Sequence, residues 1–532
     1  MTAVIDPPAR ASGISSAQDA GELAELGYAQ ELHRGVSPFA AFASGFSFVS
    51  ILTTVFALFA VGFGLGGPAF FFTWPIVFVV QFSVCLVFAE LSGKFPIAGA
   101  IYQWSRRLAG NTTGWFAGWL MLVGYIVSVA ALAIAMQSVL PDIWRGFQLI
   151  PGDSAITTKT GATNGIILGA LTIVVCTIIS SAGVKLMGRI TTVGVAIEIV
   201  GVVLIIGAMF VKAQRNPVAA VASTGGHGTG AGYIGAFVAS MVMAAYVMYG
   251  FDSAAELSEE TAEPRKVCPK AIINALLVSF VGGGLMILAA LMAAPSLDDP
   301  NLAATGIPWV ITSQLNTGLG KALLAMVAVA IFSATLAIQA SAARVMFSMA
   351  RDNRLPFGPA LAKVNQRTGT PMATGLAVSA LSIAVLLVNL GQAGAFNALV
   401  SVSVVIVYLA YCMVTVPALY LRVRGVRLTY GKPVIDLGKW GIPVNTVAAL
   451  GGGALCLNIL WPRAEVYDPD GSSWFLHYFA PIFLAVTLAV GFVAFRMIKR
   501  RNGVAAPAPD ALFGQAKKPI VAQEALAQEA LA

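Results

Sequence analysis

The chain has 532 residues, 58% of them hydrophobic and 11% charged, against about 45–50% and about 25% in soluble domains. With a mean hydropathy of +0.83 it cannot clothe a soluble surface. The same apolar excess excludes a disordered chain, and continuous apolar runs exclude an outer-membrane barrel, whose strands alternate. The net charge of +8 sits in short segments between apolar runs, the positive-inside pattern of a membrane protein and not a nucleic-acid surface.

In chain order, residues 1–35 are polar and carry Asp6, Asp19, Glu22, Glu25 and Glu31. They read as a disordered cytoplasmic tail with no secretory signal. A bilayer core of about 30 Å needs about 20 apolar residues per helix. Residues 36–500 supply twelve such spans, at about 39–61, 69–91, 114–138, 165–184, 190–211, 233–254, 272–294, 321–343, 373–391, 396–421, 444–461 and 475–497. They are numbered one to twelve below. Residues 93–110, with Trp104, Arg106 and Arg107, read as an interfacial stretch before span three. Residues 501–532 read as a second disordered tail. An even number of spans places both termini on one side. If that side is cytoplasmic, only Arg145, Lys159, Lys212, Arg215, Lys321 and Arg463 of the 32 Lys and Arg lie opposite, which sets the orientation. The expectation is an all-α, multi-pass protein of the cell membrane with both termini in the cytoplasm.

Ionisable groups within spans mark function or pairing. Glu198 in span five shares a face with Thr191, Gly194 and Gly201. That small, polar face is expected to turn toward spans one and eight. Glu198 is either a proton-carrying or gating carboxylate, or one half of an ion pair with a residue such as Arg189. In span six, Tyr246, Tyr249, Gly250, Phe251 and Asp252 form a second feature. Glycine weakens the helix there, and aromatics can close over a small ligand. A broken helix at mid-membrane is tolerated where it lines a cavity, and its freed backbone groups bind charge. The alternative is a plain helix ending at the interface with Asp252 solvated. In span ten, Ser401, Ser403, Tyr408 and Tyr411 read as packing.

Other chemistry is not indicated. The five cysteines show no metal-knuckle spacing and the three histidines lie outside or at the edges of spans. Gly62 to Gly67 matches a dinucleotide glycine pattern but lacks a preceding strand. No cofactor, metal centre or enzyme site is expected.

Four ordered blocks resemble the amino acid–polyamine–organocation permeases, in their amino acid/choline transporter branch. These are Ala89-Glu90-Leu91 with Pro96, Gly99 and Tyr102; Tyr249-Gly250-Phe251-Asp252 followed by Ser258-Glu259-Glu260-Thr261, Pro264-Arg265-Lys266 and Pro269; Arg344 to Pro356; and Gly438 to Asn445. The resemblance implies a leucine-transporter-like fold, in which spans 1–5 and 6–10 form a 5+5 inverted repeat with spans one and six broken. The family's helix-one break aligns with Leu52-Thr53-Thr54-Val55-Phe56, where Thr54 stands in place of a glycine. It implies a secondary permease moving amino acids or related small amines by alternating access. Choline, γ-aminobutyrate and polyamines are the alternative substrates, and a channel, a transporter-fold nutrient sensor or a membrane-embedded enzyme the other classes. Substrate-binding residues would be Thr53, Thr54, Tyr246, Tyr249, Gly250 and Phe251. Glu198 and Asp252 would couple or gate, and Ser333 and Thr335 would contribute to a sodium site if sodium, not a proton, drives transport.

Overall fold

A computed structural model of the chain describes residues 10–156, 158–315, 317–387, 395–426, 434–463 and 474–502. Among these residues there is no strand. Two isolated bridges occur, one of them pairing Val36 with Thr261 in parallel. Each of the twelve apolar segments is helical over its described residues, apart from breaks in spans one and six. Among the described residues, eleven helices are long and apolar enough to cross a membrane. The ninth, Met372–Leu387, has 16 described residues. At about 1.5 Å per residue these extend short of a full bilayer core.

Span one starts where Ser37 accepts from the Ala40 amide at 3.2 Å and Pro38 opens the first turn. Both features favour a helix start, because the first turn leaves amides without partners. The helix runs Pro38–Val49, breaks at Ser50 (φ 36°, ψ 95°) and resumes as Ile51–Gly66. The break therefore precedes the Leu52–Phe56 stretch at which the family motif would place it. Span six likewise stops at Val247 and resumes as the short helix Ser253–Glu256, with Gly250 at φ 87° between.

Span three, within Ala100–Ala135, contains Tyr125 and is buried on most sides, whereas span twelve, Phe479–Asn502, exposes Val486, Val490, Phe492 and Val493. Spans one, three and eight (Thr317–Arg351) are the most buried, span ten (Ala395–Val423) packs closely on span three, and the exposed apolar faces suit lipid contact.

The 93–110 stretch is packed into the protein: Ala100 begins a helix that kinks at Gly110, and fully buried Trp104 donates to the Phe95 carbonyl at 3.1 Å. One expectation is corrected here. The polar N-terminal segment is not structureless over Arg10–Glu25, which is helical, and Leu23, Leu26, Leu32 and Val36 are buried against the spans. A few apolar anchors and many hydrogen bonds to buried charges replace the continuous apolar face that composition would reveal. Residues 1–9 and 503–532 of the two tails lie outside the described residues.

Candidate functional site

The two helix breaks lie against each other. A Cβ added to Gly250 would stand 1.8 Å from the Phe48 ring, so span one occupies the space a side chain would need. Phe48 meets Tyr249 edge-on at 5.3 Å and Tyr125 at 5.3 Å. Gly45 faces the Phe251 carbonyl, and Ser253 donates to the Ser44 carbonyl at 3.0 Å. Backbone groups released by the span-six break find partners on span ten: Tyr408 donates to the Ala245 carbonyl at 2.9 Å, and the Gly250 amide donates to the Tyr411 hydroxyl at 2.9 Å. Unpaired backbone groups are costly in an apolar interior, so these tyrosines stabilise the broken conformation. Read as packing from sequence, they are structural partners of the break.

Asp252 is fully buried. Its Oδ2 accepts from Tyr125 at 2.9 Å, and its Oδ1 accepts from Tyr411. The solvated aspartate at a helix end does not occur. No ion pair to Asp252 exists among the described residues.

Glu198 reaches from span five (Val184–Val211) to the break in span one. Its Oε1 lies 2.8 Å from Ser50 Oγ and accepts from the Leu52 amide at 3.3 Å. Ser50 Oγ is also 2.7 Å from Thr53 Oγ1. Glu198 is fully buried, and its Oε2 has no hydrogen-bond partner among the described residues. The alternative of an ion pair with Arg189 does not occur among the described residues. The expected face does turn toward spans one and eight: a Cβ on Gly201 would meet Leu52 at 2.9 Å and Met326 at 3.2 Å, and one on Gly194 would meet Ser333. Glu198 thus takes the place of an anion at the start of the second half of helix one, where amides are free and the dipole is positive.

Of the substrate-binding set, Thr53, Tyr246, Tyr249, Gly250 and Phe251 are buried around the two breaks. Thr54 does something else. Its hydroxyl donates back to the Val49 and Ser50 carbonyls, both at 2.8 Å, capping the end of the first half-helix. Ser333 and Thr335 do not converge: Ser333 lies against Gly194, whereas Thr335 donates to Ile331 of its own helix at 2.8 Å. Residues two apart on a helix point in different directions. Sequence reasoning missed Phe48, Ser50 and Tyr125, because nothing local distinguishes them from ordinary span residues.

On the side of the helix ends at Lys94 and Arg351, charged groups lock the spans. Arg351 grips Glu259 through two bonds at 2.9 and 2.8 Å, and Arg344 grips Glu260 at 3.0 and 2.9 Å. Glu90 joins Lys94 at 2.6 Å and also Arg422. The N-terminal segment is laid over this layer. Tyr28 donates to Asp352 at 2.9 Å, Arg34 to the Thr261 carbonyl at 2.7 Å, and Gln30 to the Glu259 carbonyl at 3.0 Å.

A many-span helical bundle with two facing broken helices, buried carboxylates at the breaks and a charged layer on one side defines a membrane transporter. The family model described as "Amino acid permease" matches residues 36–492, and the chain belongs to that family. It is similar to the amino-acid permease BAT1 of Arabidopsis thaliana, 28% identical over 463 residues, covering 81% of this chain and 86% of that protein. It is also 29% identical over 333 residues to the branched-chain amino acid permease BcaP of Lactococcus lactis, covering 60% of this chain and 68% of that protein. The GABA-specific permease of Saccharomyces cerevisiae is 26% identical over 452 residues, covering 80% of this chain and 74% of that protein. The chain is thus a permease for amino acids or related amines.

Proposed function

We propose that this permease is a secondary active transporter in the cell membrane, with both termini in the cytoplasm, working by alternating access on a 5+5 inverted repeat. Its substrate is an amino acid, bound between the breaks of spans one and six with Tyr246, Tyr249 and Phe251 as the aromatic wall. The observation that carries this reading is the apposition of Phe48 and Gly250, which brings the freed amides of one break beside the aromatic cluster of the other. Thr53 serves the carboxylate side, and Thr54 holds the break. Glu198 and Asp252 couple or gate. A proton is favoured over sodium as coupling ion, because Glu198 has an unpartnered oxygen and Ser333 and Thr335 do not converge. The second reading, a γ-aminobutyrate permease, has support from the similarity to the GABA-specific permease.

The test is a thermal-shift screen of the purified protein against amino acids, γ-aminobutyrate, choline and putrescine, since ligands that bind the folded state raise its melting temperature. Uptake into proteoliposomes then separates a transporter from a sensor, which binds without net flux. Tyr246→Ala is expected to weaken apparent affinity by the equivalent of about 0.5–2 kcal/mol, the range of a cation–π contact to the amine. Unchanged affinity in this variant removes Tyr246 from the site.

A further inference from the structure

Glu198 holds the same groups that a substrate carboxylate would seek. The second half of helix one begins at Ile51, so the Leu52 amide is one of its free first-turn donors, and that amide already points to Glu198 Oε1 at 3.3 Å. Ser50 Oγ stands between two acceptors, Glu198 Oε1 at 2.8 Å and Thr53 Oγ1 at 2.7 Å, and it has one proton to give. The opposite oxygen, Oε2, is buried without a partner and is the open position for a proton.

Among the described residues no ion pair compensates Glu198. Span five carries Lys185 and Arg189, span four Lys159, span seven Arg265, Lys266 and Lys270, and span eight Lys321, Arg344 and Arg351, all toward the ends of their helices. Span one carries no charge, and none of these groups forms an ion pair with Glu198.

We propose that the proton on Glu198 and the carboxylate of the substrate are bound together, the proton freeing the Leu52 amide for the carboxylate, with Ser50 as the positioning residue that conveys the change. This rests on the amino-acid reading above. With Glu198 ionised, the Leu52 amide and the Ser50 hydroxyl both serve it, and a second carboxylate at the same helix start is repelled. A proton arriving on Oε2 makes Glu198 a weak acceptor. Ser50 then turns its hydrogen to Thr53, and the Leu52 amide is released to the substrate carboxylate. Linkage makes the effect reciprocal, so a bound carboxylate also favours the proton on Glu198. Release of the substrate on the other side returns the amide to Glu198 and lets the proton leave. A substrate without a carboxylate has no such dependence, so the device selects carboxylated substrates when a proton is present.

The experiment uses the full-length protein in proteoliposomes and radiolabelled L-leucine, γ-aminobutyrate and putrescine as probes. Between about pH 5.5 and about pH 8 the affinity for the carboxylated probe that binds is expected to fall about tenfold, inside the usual range of a coupling between sites. Glu198→Gln is expected to abolish this pH dependence and Ser50→Ala to flatten it, with Ser50→Cys, an unbranched weak donor, restoring part of the slope. A merely structural role for Ser50 would lower affinity equally at both pH values. Melting curves check folding, and the Ser50 pair carries the test if Glu198→Gln does not fold. Equal affinity of a carboxylated probe at both pH values overturns the proposal and leaves the transport reading intact, as does an undiminished slope in Glu198→Gln. A parent protein that binds neither leucine nor γ-aminobutyrate overturns the proposal together with the amino-acid reading.

Discussion

Arg344 and Glu260, 84 residues apart in sequence, form a two-pronged ion pair that is almost wholly buried, Nε to Oε2 at 3.0 Å and Nη2 to Oε1 at 2.9 Å. The carbonyl of Glu260 also accepts from the Gly35 and Val36 amides, each at 2.9 Å, so the pair joins span eight, the end of span six and the N-terminal segment. Removing one partner strands a buried charge, at a cost of about 3–5 kcal/mol, whereas removing both is far milder. Arg344→Gln is therefore expected to melt well below the parent, and Glu260→Gln with Arg344→Met to recover most of the loss. Thermal unfolding of the purified variants is the measurement. A double variant as unstable as Arg344→Gln would contradict the argument.

Gly250 is required twice over. Its φ of 87° strains any other residue, and a Cβ there would stand 1.8 Å from the Phe48 ring. Gly250→Ala is expected to lose substrate binding through displacement of Phe48. Adding Phe48→Ala removes the clash but not the backbone strain of about 1–3 kcal/mol, so rescue is partial at best. Parent-like binding and melting in Gly250→Ala would show that the break does not depend on this glycine.

Twelve apolar segments were legible from composition because a bilayer demands them locally, residue by residue. The break in span six was legible from Gly250, which needs no distant partner to weaken a helix. The break in span one was not placed at Ser50, since its stabilising carboxylate, Glu198, comes from 148 residues away. The partners of Asp252 were equally hidden, as Tyr125 and Tyr411 lie 127 and 159 residues from it. Glu259 and Glu260 stood in a recognisable block, but only the fold shows that they answer Arg351 and Arg344 of another block.

The proposed sidedness rests on the distribution of basic residues. Cysteines at the exposed positions Gly226, Lys363 and Arg424 test it, against a low background from native cysteines of which four are buried and Cys412 is partly so. An impermeant thiol reagent added outside intact cells is expected to label Gly226→Cys alone, while Lys363→Cys and Arg424→Cys react only after permeabilisation. Labelling of Arg424→Cys from the same side as Gly226→Cys would break the twelve-span arrangement.

The N-terminal segment should respond to pH through Asp19. Asp19 Oδ2 accepts from the Glu263 amide at 3.0 Å, and Arg34 Nη1 lies 3.6 Å away. Burial pushes the Asp19 carboxyl above its ordinary value, and the Glu263 amide and Arg34 pull it only partly back. The docked segment therefore holds the Asp19 proton more firmly than a free segment does. The sign follows from linkage: docking is strongest below the ordinary aspartate value of about 3.9 and weakens as pH rises through the raised one. Asp19→Asn keeps an acceptor for the Glu263 amide without the buried charge, so it is expected to dock at least as well as the parent near neutrality and without this pH dependence. Asp19→Ala strands the amide and should loosen docking by about 1–3 kcal/mol. Hydrogen exchange of the amides of residues 19–36, corrected for intrinsic rates, reads the difference. Equal protection in the asparagine and alanine variants would mean that Leu23, Leu26 and Tyr28 hold the segment without help from Asp19. Because Tyr28 and Arg34 tie that segment to Asp352 and Thr261, its loosening should also raise the exchange of amides 258–263, at the end of span six, and a change confined to the segment would separate its docking from the charged layer beneath.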